Sequence, residues 1–248
     1  IGALASRSTA IAGSAIANAC QLALKKKSAG NSYPIVVEDK FSTSEAWAYG
    51  CVIVQLHIDH QTGQPRLERI IWVDDAGNIV MPPLAHGQLV GGAAQGIGQA
   101  LFEKVVYDSQ SQLLTGSFMD YAMPRAGDVP KFDLEELGTP EKSNPLGVKG
   151  AGESGTVGAP PAIIGAIVDA LKDYGVVDIP MPATSAPLKA GVACATALSG
   201  QARRRPDLVD ISWPVPVADR SPARSIGIRT WRRIYRDGGC ARAAVSVV

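Results

Sequence analysis

Between residues 87 and 103 the chain reads G-Q-L-V-G-G-A-A-Q-G-I-G-Q-A-L-F-E, with five glycines in the first twelve positions. Each glycine in a helix costs about 1 kcal/mol relative to alanine, so a stretch that opens glycine-rich and turns helical must bring something close to its backbone. Two partners fit. One is a tightly packed second helix. The other is a polar, multiply oxygenated cofactor held by bare N–H groups at Gly91 and Gly92 and by the amides of Gln88 and Gln95. A second glycine-rich stretch, K-G-A-G-E-S-G-T-V-G-A-P-P at 149–161, places Glu153 among Gly150, Gly152 and Gly155. It lies upstream of a helix expected from about Pro160 to Tyr174 and stopped by Gly175. A carboxylate there suits a general base, or a base beside an anionic cofactor at a helix N-terminus. The plainer alternative is an ordinary first-turn helix acid.

Other segments frame these two. Ser6, Ser8 and Thr9 stand before a helix of about 16 residues that closes on Lys25, Lys26 and Lys27, as capping and the helix dipole favour. The A-S-R-S-T cluster at its start, with Arg7 among the hydroxyls, suits a phosphate or pyrophosphate, or simply caps the helix. Residues 50–58 and 67–73 are β-branched runs flanking D-H-Q-T-G-Q-P, a hairpin signal, and Asp74, Asp75 and Gly77 form a second turn. A strand is expected around Phe132 to Leu137, and another short one near Ile226 to Ile234. Hairpin strands alternating with helices predict an α+β fold.

With 248 residues, 46% hydrophobic and 19% charged, the chain can bury a core of one or two domains. No run of about 20 uninterrupted apolar residues is present, so no membrane span is expected. The net charge of +1 hides a division. Residues 1–183 carry 13 cationic and 19 anionic side chains, while residues 184–248 carry 11 cationic side chains, ten of them arginine, against four aspartates. This predicts a boundary near residue 183, followed by an arginine-rich segment of unassigned fold that is disordered or misjoined. Without a recognisable binding domain, the segment is not read as a nucleic-acid site.

Several chemistries find no support. The four cysteines, at 20, 51, 194 and 240, have no spacing for zinc or an iron–sulfur cluster. His57, Asp59 and His60 fall in a hairpin turn, and neither a nucleophile elbow nor a P-loop occurs. G-A-G-E-S-G, with Asp178 downstream, fits a dinucleotide fingerprint literally, but that reading needs a buried strand ending near Val148 with Asp178 directed at the loop.

Six stretches taken in order resemble the C-terminal part of the molybdopterin-binding large subunit of the xanthine dehydrogenase, aldehyde oxidase and aerobic carbon monoxide dehydrogenase family. They are A-S-R-S-T at 5–9, D-D-A-G at 74–77, G-Q-L-V-G-G-A-A-Q-G-I-G-Q-A-L at 87–101, M-D-Y-A-M-P-R-A at 119–126, N-P-L-G-V-K-G-A-G-E-S-G at 144–155 and I-P-M-P-A-T at 179–184. The resemblance covers residues 1–184. It implies part of a molybdenum-cofactor-binding domain in an oxidoreductase that hydroxylates an electron-poor carbon with oxygen from water.

By this resemblance Glu153 is the base beside the molybdenum, Gln88 hydrogen-bonds the pterin, and Gly91 and Gly92 admit it. Gln95 and Gly152 belong to the same cofactor-binding set. Ser6, Arg7 and Ser8 meet its phosphate or dinucleotide end, in the cytosine dinucleotide form. Iron–sulfur clusters and FAD are implied on partner chains, together with the remainder of the molybdenum subunit and a small-molecule substrate. The implied location is the cytoplasm, or the periplasm if a targeting signal precedes Ile1. Val80, Met81 and Pro82 stand where the family has I-N-P, and His86 replaces its usual acidic residue before G-Q. The competing readings are a non-catalytic chain without cofactor and a nucleotide-binding module using Gly150–Gly155.

Overall fold

The computed structural model describes residues 5–42, 46–59, 61–186 and 188–189, and the backbone of 242–247. A π-helical turn, Thr9–Gly13, runs into helix α1, Ser14–Ser28, whose last turn carries Lys25, Lys26 and Lys27. Strands β1, Tyr49–Ile58, and β2, Pro65–Asp75, form the expected antiparallel hairpin, in register from Tyr49 opposite Asp75 to Ile58 opposite Pro65, with an irregularity at Gln55/Leu56. At the turn Asp59 Oδ1 accepts the N–H groups of Gln61 and Thr62, both at 2.8 Å. The aspartate is thereby committed to the turn.

Alternation along the hairpin sets its buried face. Val52, Val54, Leu56 and Ile58 of β1 and Leu67, Ile70 and Trp72 of β2 are buried, as the two-residue period of a strand requires. Helix α2, Pro82–Leu101, then crosses over, and β3, Lys131–Glu136, pairs parallel with β2. A parallel pair needs such a crossover. Strand β4, Arg242–Val247, adds antiparallel to β1, giving the sheet order β3-β2-β1-β4. Helix α3, Ser154–Leu171, lies against both α2 and β1. Ile97 of α2 joins Ile163, Ile167 and Leu171 of α3 over the buried face of the hairpin. The architecture is α+β.

Both glycine-rich helices begin earlier than their sequence suggests. Prolines at the first two positions open α2 at Pro82, where a missing N–H costs nothing, so all of its glycines are helical. Helix α3 starts at Ser154 and carries Pro160 and Pro161 in its interior. Interior prolines ordinarily break a helix, and this pair is held by the packing of its small residues against α2. By length and composition the segment Ser154–Tyr174 could span a membrane, but it is interrupted by Asp169, Lys172 and Asp173, and half of its most apolar stretch is buried inside the fold, as in a core helix. The arginine-rich segment, the strand expected near Ile226 to Ile234, Cys194 and Cys240 lie outside the described residues, apart from the backbone of β4.

Candidate functional site

Two facing helices and one latched loop build the site. The latch begins where β2 ends. The Asp75 carboxylate is fully buried, and its Oδ1 accepts the N–H groups of Gly77 at 3.0 Å and Thr139 at 3.1 Å and pairs with Lys149 Nζ at 3.1 Å. Lys149 also lies 4.5 Å from the Tyr49 ring centroid. The backbone follows the same path. Asn78 N–H donates to Gly147 O at 2.8 Å, and Lys149 N–H donates to Ala76 O at 2.9 Å. Buried Asn144 closes the loop on itself through the N–H and C=O of Val148. Gly77 has φ 69°, and a Cβ there would overlap Gly147 O. The D-D-A-G turn thus fastens the N-P-L-G-V-K segment that leads into Glu153.

The same geometry removes the dinucleotide reading. Among the described residues no strand leads directly into the G-A-G-E-S-G loop. Val148 makes only an isolated antiparallel bridge with Gly77, and Asp178 is exposed. A βαβ phosphate loop requires a parallel strand feeding the helix. Here the loop comes from an irregular segment tied to a turn.

The glycines of α2 divide by face. Gly92 and Gly96 meet α3, where a Cβ on Gly92 would stand 3.1 Å from Thr156 N and one on Gly96 would stand 2.8 Å from Ala159 Cβ and 2.9 Å from Pro160 Cδ. A Cβ on Gly155 would overlap Leu89 O. The helices therefore approach along a seam of Gly92, Gly96, Gly155 and Ala159. Gly87 and Gly91, on the other face, would meet nothing within 4 Å. The helix seam accounts for Gly92 and Gly96, while Gly87 and Gly91 leave open space beside the backbone.

That open face borders a cavity of about 550 Å³ lined by Gly87, Gln88, Gly91, Gly92, Gln95, Gly152, Glu153, Thr156 and Val157. Six residues expected from the sequence, Gln88, Gly91, Gly92, Gln95, Gly152 and Glu153, therefore converge. Thr156 escaped the sequence reading. Its hydroxyl lies 3.3 Å from Gly92 O and 3.4 Å from Gln95 Oε1, a role whose only sequence sign is a hydroxyl one helical turn after Glu153. Glu153 is the N-cap residue of α3, with φ −108° and ψ −3°, and its side chain makes no capping hydrogen bond. The ordinary helix-acid alternative is thereby weakened, because the exposed carboxylate is not engaged with the helix end.

The N-terminal cluster meets the glutamate loop through Ser6. Ser6 Oγ accepts the N–H of Gly152 at 3.0 Å, so it braces the glutamate loop. Arg7 and Ser8 do not line the cavity, and Ser8 makes no capping hydrogen bond. The Gln88 amide nitrogen donates to Gly152 O at 2.7 Å. This bond takes one N–H of the amide, and the second N–H and Oε1 are not spent on it, so the side chain that lines the cavity keeps both a donor and an acceptor.

At the back of the latch two neighbouring carboxylates titrate in opposite senses. Burial, reinforced by the negative charges of Asp75 and Glu136, pushes Asp74 up to about 6. Burial also acts to raise Asp75, but its hydrogen bonds with Thr139 and Gly77 and the Lys149 ammonium outweigh this and hold it at about 2. Among the described residues no group of three or more His, Cys, Asp or Glu side chains is placed to hold a metal ion.

Residues 26–130 match the family model of the molybdopterin cofactor-binding domain. Over about half of its length the chain is similar to the molybdenum-binding subunits of the xanthine dehydrogenase family. It is 41% identical over 129 residues to the nicotine 6-hydroxylase large subunit of Paenarthrobacter nicotinovorans, covering 52% of this chain and 16% of that one. The crystal structure of quinoline 2-oxidoreductase from Pseudomonas putida 86 aligns with a TM-score of 0.54 at 38% identity, over 56% of this chain and 18% of that chain. Reconstituted CO dehydrogenase from Oligotropha carboxidovorans aligns with a TM-score of 0.58 at 30% identity, over 61% and 19%. The chain thus spans less than a fifth of the length of these relatives. Their likeness agrees with the α+β fold of a molybdenum-cofactor-binding domain. The match to the domain model takes in all of α2 and stops before the loop that bears Glu153.

Proposed function

We propose that this chain supplies one wall of the molybdopterin site of a molybdenum hydroxylase and carries its catalytic base, Glu153. The observation that bears most weight is the convergence of Glu153, bare backbone at Gly87 and Gly91, and the amides of Gln88 and Gln95 around one cavity. The cofactor fits this surface. With nothing within 4 Å of the missing Cβ positions, a flat polar ring system can lie directly on the helix, and side-chain amides offer neutral acceptors and donors. In the proposed form, which carries a cytosine dinucleotide, the bound group supplies the redox chemistry that converts an electron-poor C–H bond to C–OH with oxygen from water.

The chain's own part is narrower. Glu153 holds its carboxylate at the mouth of the cavity, free of the helix end, where it takes a proton at Oε1 or Oε2 from the attacking oxygen. Gly91 and Gly87 leave room, and Gln95, oriented by the Thr156 hydroxyl, presents its amide on the same wall. Iron–sulfur and flavin centres belong on partner chains in this reading, and the other wall belongs to the rest of the molybdenum subunit.

Glu153→Gln in the complete assembly tests the assignment. Loss of a general base costs about 10²- to 10⁴-fold in rate, so kcat should fall by at least 100-fold at unchanged molybdenum and pterin content. Turnover surviving within a few-fold at full molybdenum occupancy would show that another group is the base.

A further inference from the structure

We infer that Ser6 and Gln88 are positioning residues that grip the Gly152 peptide from opposite sides and so fix the backbone that aims Glu153. The inference rests on the proposed role of Glu153 for its functional meaning and on the hydrogen bonds alone for the grip itself. Ser6 Oγ accepts the Gly152 N–H at 3.0 Å, and Gln88 Nε2 donates to the Gly152 carbonyl at 2.7 Å. Both peptide groups flanking one glycine are therefore held by side chains 146 and 64 residues away in sequence. Ser6 comes from the segment leading into α1 and Gln88 from α2.

Glu153 follows immediately, and its own C=O accepts the N–H of Val157 at 3.0 Å in the first turn of α3. Its backbone is consequently fixed on both sides, by the grip before it and by the helix after it. Only the side-chain torsions remain to place the carboxylate.

The local sequence is shaped to this contact. A Cβ on Gly152 would overlap the Ser6 hydroxyl, and one on Gly150 would stand 2.9 Å from Ala5 O and 3.1 Å from Ser6 Cβ. Ala5 and Ser6 themselves have φ 52° and 53°, a left-handed conformation that residues with a Cβ adopt only when the surroundings impose it. The strained turn and the two glycines together bring the serine hydroxyl onto the loop.

Amide hydrogen exchange by NMR on the 248-residue chain tests the grip. Ser6→Gly removes the hydroxyl while suiting the positive φ, and Gln88→Leu removes the donor at similar size. The Gly152 amide should exchange at least tenfold faster in Ser6→Gly and severalfold faster in Gln88→Leu, while the amides of Ile97 and Ile163 stay within twofold of the parent. An unchanged Gly152 rate in both variants would overturn the inference, and so would acceleration spread evenly over α2 and α3, which marks general destabilisation.

In the loaded assembly, Ser6→Gly should lower kcat at unchanged KM and unchanged molybdenum content. A fall of metal and pterin in proportion to activity would instead make Ser6 a cofactor ligand and overturn the positioning role. The exchange result does not depend on cofactor. A chain that never takes up molybdopterin would sink the functional reading and leave the grip intact, whereas a normal Gly152 rate in a fully active enzyme would sink only the grip.

Discussion

Asp74 and Asp75 show how much two identical side chains can differ when one has a partner. Both are nearly inaccessible, at 7% and 0% exposure, yet Asp74 is pushed up to about 6 and Asp75 is held at about 2. An acid whose folded value is raised stabilises the fold fully below its unfolded value, near pH 4, and that contribution is lost as the pH rises through 6. Asp75 is the reverse, contributing above pH 4 and losing its effect as the pH falls toward 2. At about 1.4 kcal/mol per tenfold change in proton affinity, each effect amounts to roughly 2 to 3 kcal/mol. Urea unfolding at pH 4.5, 6.0 and 7.5 should therefore show the parent losing about 2 kcal/mol across this range relative to Asp74→Asn. A constant gap between the two proteins would contradict the raised Asp74. The D-D-A-G motif could be recognised in the sequence, but its work could not, because nothing local announces that Asp75 meets Lys149 74 residues later.

At the scale of elements, the glycine density was readable as a demand for close approach, and the structure answers it with the α2–α3 seam on one face and the open cavity on the other. What the sequence could not assign was the face of each glycine, since that depends on how α2 lies over α3. The helix starts at Pro82 and Ser154 were missed for a related reason. Local propensity puts prolines at a helix beginning, while tertiary packing of Gly155, Gly158 and Ala159 carries α3 through them. The division by face predicts opposite signs for the same substitution.

Gly96→Ala gains about 1 kcal/mol of helix propensity but forces a methyl to 2.8 Å from Ala159 Cβ, and overpacking costs about 1 to 3 kcal/mol. The net effect should be a loss of up to about 2 kcal/mol in urea unfolding. Gly91→Ala meets no neighbour and should stabilise by roughly 1 kcal/mol while lowering pterin occupancy, because its methyl stands in the cavity. Equal effects of the two substitutions on stability would mean that the seam does not lie where these contacts put it.

For the whole molecule, the instructive element is β4. Charge divides the chain near residue 183, and the arginine-rich part suggested a segment apart from the domain, yet Arg242–Val247 pairs antiparallel with β1 from Cys51 to Leu56 and α3 packs against it. Backbone hydrogen bonding in a sheet is indifferent to side-chain charge, so a strand can join the sheet from across a composition break. The site residues, from Gln88 to Thr156, lie on the other partners of the sheet and helix pair. A chain ending at residue 189 should accordingly keep the α2–α3 seam and the latch of Asp75 with Lys149 while leaving β1 as an unpaired edge. Hydrogen exchange distinguishes these parts, since β1 amides alternate between its two neighbours. Those directed at β4 between Cys51 and Leu56 should lose at least tenfold in protection on truncation, and those bonded to β2 should change little. Retained protection at every β1 amide would show that residues 242–247 do not complete the sheet, and would favour the boundary that the charge pattern suggests. Loss of protection throughout α2 and α3 would show instead that the cofactor wall cannot stand without its last strand.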